Sequence, residues 1–188
     1  MKVLTILGSP RKQGNTATLL AAVEDELASG GHEVDRVDVA SLDVKGCTGC
    51  FSCQQVPDAP GCVQKDDAES VFERMLSSDA TVYAAPLYAW GFPAQMKALI
   101  DRSVCLVKGA EGPAMTSLLE GKRAALLVTC AGPIEDNADL IQTAFERICE
   151  YAKCQVAGKC VVPSCTTPDA MTAEAVDAAK GLAAEIVA

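Results

Sequence analysis

Short apolar runs alternate with amphipathic helical segments along the whole of this chain, and that alternation constrains its fold more than any other feature. Residues 2–7 form a brief apolar run that predicts a first strand. Residues 16–29 set Leu19, Leu20, Val23 and Leu27 on one helical face, and Gly30-Gly31 stops the helix. Val34, Val37 and Val39 mark a second strand over 33–39; Val71, Phe72, Met75 and Leu76 mark a helix over 67–77. Strands over 80–85, 124–129 and 155–162 then alternate with helices over 93–107, 134–151 and 172–187. Five strands separated by helices predict an α/β fold, a parallel sheet covered on both faces.

The 188 residues suit one domain over 1–188, long enough to bury roughly 70% of its unfolded surface. Hydrophobic residues make up 49% of the chain but aromatic ones only 4%, so Ala, Val and Leu must supply most of the core. The net charge of -9 offers no basic patch to release phosphate counterions, so neither nucleic acid nor an anionic membrane is an expected partner. No apolar run reaches the length of a membrane-spanning helix. The N-terminal apolar run enters Gly8-Ser9-Pro10-Arg11 without the small-residue site of a signal peptide, so a cytoplasmic location is expected. Ten cysteines lie within an ordinary hydrophobic pattern, which points to thiols or metal ligands rather than a secreted disulfide scaffold.

The irregular stretches carry the chemistry. Residues 8–15, 86–92 and 130–133 each follow a strand, and the long stretch 42–65 leaves the same edge after the second. They gather at the carboxyl edge of the sheet, where ligands of open α/β folds bind. Gly8-Ser9-Pro10-Arg11-Lys12-Gln13-Gly14-Asn15-Thr16 joins the first strand to the first helix. Its hydroxyls and backbone N–H groups, with the helix N-terminus, suit a dianionic monophosphate, and Arg11 adds a bidentate contact. The spacing is not that of a P-loop, because five residues separate Gly8 from Gly14 and Asn15-Thr16 follows. The G-x-G-x-x-G fingerprint is absent too. A polar turn capped by Thr16 is the plainer alternative. The loop Pro86-Leu87-Tyr88-Ala89-Trp90-Gly91-Phe92-Pro93 holds the only Trp and suits a flat aromatic ligand, or else simple packing or a subunit contact. Lys97 and Asp101 are spaced as an i,i+4 pair.

Gly8-Ser9-Pro10-Arg11…Gly14-Asn15-Thr16 together with Pro86-Leu87-Tyr88…Lys97…Ile100-Asp101-Arg102 resembles the NADPH-dependent FMN reductase family, and within it the iron-sulfur flavoproteins, from about residue 2 to residue 165. The resemblance implies a flavodoxin-like three-layer sandwich with strand order 2-1-3-4-5 and FMN across the ends of the first and third strands. It implies that Ser9, Arg11, Asn15 and Thr16, with Gly14 among them, hold the FMN phosphate. Pro86, Leu87, Tyr88 and Trp90 would flank the flavin ring, and Cys130, Ala131 and Gly132 would close its other side. It also implies NAD(P)H as electron donor, a small-molecule or protein redox partner, and a homodimer or homotetramer in which the cysteine loop approaches a neighbour's flavin.

Cys47-Thr48-Gly49-Cys50-Phe51-Ser52-Cys53 followed by Cys62 is the most distinctive stretch. The tight CxxCxxC run with a fourth cysteine resembles 4Fe-4S ligation, whereas structural zinc more often draws on two separated CxxC pairs. Free or redox-active thiols, zinc and a disulfide are the alternatives. Eight residues separate Cys53 from Cys62, with Pro57 and Pro60 placed to bend the segment back. The pair Asp66-Asp67 reads as an N-cap for the next helix. Cys105, Cys130, Cys149, Cys154, Cys160 and Cys165 are scattered and read mostly as small core residues. The single histidine, His32, sits in a turn outside the motifs, so hydrolase chemistry of the Ser-His or Cys-His kind has no support. No residue is singled out as a catalytic acid, base or nucleophile. Three functions compete: an FMN oxidoreductase passing electrons to or from a 4Fe-4S cluster, a cluster-free FMN or quinone reductase, and a flavin-free metal-binding or regulatory module.

Overall fold

The structure, a computed structural model, describes residues 1–109 and 115–188. In chain order the elements begin with β1 (Lys2–Leu7), α1 (Asn15–Ser29), β2 (Glu33–Asp38), α2 (Ala68–Ser77), β3 (Ala80–Pro86) and α3 (Ala94–Arg102). The two-residue strands β4 (Val107–Lys108) and β5 (Thr116–Ser117) follow, then β6 (Arg123–Thr129), α4 (Asp139–Tyr151), β7 (Gln155–Val162) and α5 (Ala173–Val187). The main sheet is parallel throughout, in the order β2-β1-β3-β6-β7. That is the 2-1-3-4-5 order of the flavodoxin-like fold once the small antiparallel β4–β5 hairpin is set aside. The hairpin has no counterpart in the sequence pattern.

The period-2 alternation of the strands divides the core. Val3 and Leu7 of β1, with Ala80, Val82 and Ala84 of β3, pack under α1 and α5. Leu4 and Ile6, with Tyr83 and Ala85, face α2, α3 and α4 on the other side. Both faces of the central strands are buried, so these strands are almost wholly apolar. Thr5 is the one buried polar residue of β1; its hydroxyl donates to Glu24 of α1 and so is satisfied in the core.

Three predicted boundaries shift, each for a local reason. The helix predicted over 93–107 ends at Arg102 and tightens into a 3-10 turn over Ser103–Leu106, because the Arg102 side chain is tied down to Asp66 and to the Lys45 carbonyl. The helix predicted over 134–151 begins only at Asp139, since Asp136 is left-handed (φ 54°) and Asn137 Nδ2 donates to the Pro133 carbonyl at 2.7 Å. The second strand stops at Asp38, and Val39–Ser41 is a 3-10 turn that buries Val39. Among the described residues, no helix is long and apolar enough to cross a membrane.

Strand order reverses between β1 and the central strand, β3. Beyond their carboxyl ends the loops diverge to opposite sides and leave a crevice.

Candidate functional site

The crevice holds a cavity of about 610 Å³ whose walls come from four strand ends. Ser9, Arg11, Gly14, Asn15 and Thr16 line it from the loop after β1. Pro86, Leu87 and Tyr88 line it from β3, and Cys130 and Ala131 from β6. The loop after β1 is held in shape from within. Ser9 Oγ accepts from the Arg11 N–H at 3.1 Å, and the Gly14 N–H donates to the Arg11 carbonyl at 3.1 Å. No side chain caps α1 and no acidic residue occupies its first turn, so the first N–H groups of the helix are left for a ligand. The partial positive charge at that end, with the Arg11 guanidinium beside it, favours an anion.

Deeper in the cavity the Thr16 and Thr129 hydroxyls pair at 2.7 Å, tying the start of α1 to the end of β6. Asn15 Nδ2 donates to the Thr167 carbonyl at 2.7 Å and approaches Cys165 Sγ at 3.4 Å, which brings the loop after β7 over the cavity. Leu87 N–H donates to the Thr129 carbonyl at 2.8 Å, so the loop after β3 continues the sheet for one residue before turning away. Tyr88 and Gly91 then exchange hydrogen bonds of 3.1 and 3.0 Å around Ala89 and Trp90, both left-handed (φ 47° and 60°). Such a turn normally takes Asn-Gly; two residues with Cβ atoms hold it under strain, as loops at binding sites often do.

Two of the residues expected here stand apart from the cavity wall. Trp90 lies at the tip of the strained turn, 59% exposed, and Gly132 faces Asn137 instead. Conversely Gln13, Thr129, Cys165, Thr166 and Pro168 line the cavity without having been singled out. Burial raises both cavity thiols; Cys130 is pushed further the same way by Cys165, while the Asn15 hydrogen bond partly offsets the effect on Cys165. Both therefore sit against the cavity as neutral groups.

A second cavity of about 240 Å³ lies in the cysteine loop, and Cys47, Cys50, Cys53 and Cys62 all line it. All ten cysteines are free thiols. The eight-residue gap before Cys62 closes because Gly61 is left-handed (φ 65°) and packs so near Val56 that a Cβ would lie 2.5 Å from the Val56 Cβ. Lys108 clamps the same segment: its ammonium, in a residue only 6% exposed, donates to the carbonyls of Cys53 (3.0 Å), Ala59 (2.7 Å) and Pro60 (3.2 Å). Hydrogen bonds from Ser52 and Thr48 pull the exposed Cys50 thiol below its ordinary value.

Arg102 forms one wall of this cavity and is 1% exposed. Its Nη1 donates to Asp66 Oδ2 at 2.7 Å and to the Lys45 carbonyl at 3.0 Å, and its Nη2 to Asp66 Oδ1 at 3.2 Å. The Asp66 side chain is fully buried, so stranding either charge would cost about 3–5 kcal/mol. Asp67 takes the N-cap position of α2 without a capping bond, because its carboxylate accepts from the Asp43 N–H instead; Asp66 accepts from the Lys45 and Ala68 N–H groups. Burial opposes the Arg102 charge, but Asp66 and the neighbouring Cys62 outweigh it and hold the guanidinium above its ordinary value. The four thiols ring a space well above the ~15 Å³ a single water needs. Among the described residues no three Cys, His, Asp or Glu groups converge as ligands of one metal ion. Donors spread around a cavity, with buried cations behind them, suit an anionic group of several atoms. Helix α3 joins the two cavities, following the loop 86–93 at one end and placing Asp101 and Arg102 at the other. Lys97 and Asp101 pair along it at 2.6 Å, as their spacing predicts.

A family model described as NADPH-dependent FMN reductase matches residues 1–162. An iron-sulfur flavoprotein of Archaeoglobus fulgidus is 42% identical over 102 residues, 54% of this chain and 45% of that protein. One of Methanosarcina thermophila is 39% identical over 106 residues, 56% of this chain and 54% of that protein. The chain spans about half the length of these relatives. The crystal structure of an FMN-dependent NADH-azoreductase from Bacillus anthracis in complex with FMN matches over 100% of both chains with a TM-score of 0.70 at 12% identity, a likeness of fold.

Proposed function

Because this chain belongs to the NADPH-dependent FMN reductase family, we propose that it is a flavin-dependent oxidoreductase holding FMN in the larger cavity. The observation that carries this reading is the convergence of four strand-end loops on an uncapped, cationic helix start at the point where strand order reverses. The phosphate would lie against Ser9, Arg11, Asn15 and Thr16, with Gly14 keeping the backbone close. Pro86, Leu87 and Tyr88 would bear on one side of the flavin ring, and Cys130 and Ala131 on the other; Trp90 and Gly132 would shape the rim behind them. Bound FMN supplies hydride and one-electron chemistry, with NAD(P)H as donor. The neutral Cys130 thiol and the apolar Leu87 would keep water and charge away from the ring, while Cys165, beside Asn15, and the Thr16–Thr129 pair would line the phosphate end.

Cys47, Cys50, Cys53 and Cys62 would hold a 4Fe-4S cluster, which supplies one-electron transfer when bound. Their shared cavity and the buried Arg102 behind them support this. Exposed Phe51, Val63, Tyr88 and Trp90 beside the two cavities support association into a homodimer or homotetramer. Cysteines set within an ordinary hydrophobic pattern suit a reducing, cytoplasmic location, and a small molecule or redox protein would be the partner.

Titration of the anaerobically purified protein with FMN tests both halves. Saturable binding is expected, weakened about 10- to 100-fold in Arg11→Ala, the loss of a charge-assisted contact of about 1.5–3 kcal/mol. Cys50→Ala is expected to lose iron and keep FMN affinity. Absence of saturable flavin uptake overturns the flavin site. Flavin uptake with no iron in the wild-type protein leaves the cluster-free reductase standing.

A further inference from the structure

Arg102 carries a loose end that its ion pair does not explain. Both Nη atoms are occupied, by Asp66 and the Lys45 carbonyl, yet Nε is buried and has no hydrogen-bond partner. Only one other buried side-chain polar atom among the described residues shares that condition, Gln54 Oε1, which also belongs to the cysteine loop. A buried donor without a partner is left desolvated and uncompensated, so it calls for an acceptor. Asp66 grips the guanidinium in a two-pronged fork, which fixes its plane and leaves the third N–H edge without rotational freedom. The residue lines the cavity ringed by Cys47, Cys50, Cys53 and Cys62. A lysine in its place would supply charge but no fixed third donor.

From this geometry we infer that Arg102 is a positioning residue whose Nε–H donates to the sulfur shell of the group held by the four cysteines, and so raises that group's reduction potential. This assignment rests on those cysteines holding an iron-sulfur cluster, as proposed above. Reduction adds one electron, and hence one negative charge, to the bound group. A fixed donor and a positive charge at its surface stabilise the reduced form more than the oxidised one. Asp66 tempers this by cancelling part of the charge while holding the donor in line. Lys108 adds a second buried cation, but its three donors are spent on backbone carbonyls, so it shapes the loop instead of contacting the group.

The test is an EPR-monitored redox titration of the full-length, iron-loaded protein under anaerobic conditions, with dithionite as electron source. Arg102→Lys keeps a cation opposite Asp66 and removes the third donor; the double variant Arg102→Gln with Asp66→Asn removes both charges together and strands neither. The midpoint potential is expected to move to more negative values in each, with iron content and FMN affinity retained in Arg102→Lys. A measurement on the unmutated chain makes the result independent of variant folding. Protein labelled with ¹⁵N-arginine is expected to show a nitrogen hyperfine coupling to the reduced cluster, since Arg102 is the arginine lining that cavity. An unchanged midpoint in Arg102→Lys, or no arginine nitrogen coupling in a loaded wild-type protein, overturns the role of Arg102 alone. Absence of iron from the wild-type protein overturns the cluster reading and this inference together, so the two failures are distinct.

Discussion

Single thiols set how this protein responds to alkali. Burial pushes Cys149 up to about 12 and Cys160 up to about 11, with Cys154 adding to the first and Glu185 to the second. Below about pH 9 both the folded and unfolded chains keep these protons, and the thiols leave stability untouched. Above that value the unfolded chain ionises first and binds fewer protons than the native one. Stability then falls, and continues to fall until the folded thiols titrate near 11 and 12. Urea unfolding at pH 8 and pH 10 is expected to show a loss on the order of 1–2 kcal/mol for each of these thiols, smaller in total in Cys160→Ala. A flat profile contradicts the burial of these groups. At this scale Ser9, Arg11 and Asn15, and Cys47, Cys50 and Cys53, were legible as cavity-lining residues because they lie in contiguous motifs, with Cys62 after a gap of eight residues. Thr129, Cys165 and Pro168 reach the cavity only through β6–β7 pairing, so nothing local marks them. Arg102 was visible as the end of Ile100-Asp101-Arg102, but its partner Asp66 lies 36 positions away and looked like an ordinary helix start.

Elements, not residues, decide whether the larger cavity keeps its width. Gly8 follows β1 and lies against α3, where an added Cβ would come within 2.8 Å of Met96 Cε and 2.9 Å of Met96 Cβ. Met96 is fully buried, so the conflict cannot be relieved by a swinging chain end and the helix must shift. Gly8→Ala is expected to cost about 1–3 kcal/mol and to weaken FMN binding, because α3 carries the 86–93 loop with it. Gly181→Ala is the matched control: it lies in α5 with nothing within 4 Å of the new methyl, and a gain of about 0.4–1 kcal/mol is expected. Thermal melting with and without FMN checks both. The order and kind of the main elements followed from hydrophobic period alone. Their ends did not, since left-handed Asp136 and the anchoring of Arg102 are tertiary facts. The β4–β5 hairpin escaped because two residues per strand are too few to show a period.

For the molecule as a whole, charge and apolar surface pull in opposite directions. Each chain carries a net charge of -9, so copies repel one another, while Phe51, Val63, Tyr88 and Trp90 present apolar area at the loop end of the sheet. Added salt shortens the reach of the repulsion and strengthens apolar contact, from a Debye length of about 30 Å at 0.01 M to about 8 Å at 0.15 M. Sedimentation velocity is therefore expected to show a dimer or tetramer whose population grows with ionic strength; a monomer at every salt concentration contradicts the assembly. Strand order was legible only through family resemblance, because alternation fixes that strands are parallel but not which are neighbours. One consequence concerns the helix that runs from one cavity to the other. Nine residues of α-helix are about 13 Å of stiff rod, pinned by Met96 near one end and by the Asp66 fork at the other. Redox groups seated at its two ends would keep a constant interval while the loops around them breathe, so fluctuation would govern who may enter and leave, but not how far an electron must hop.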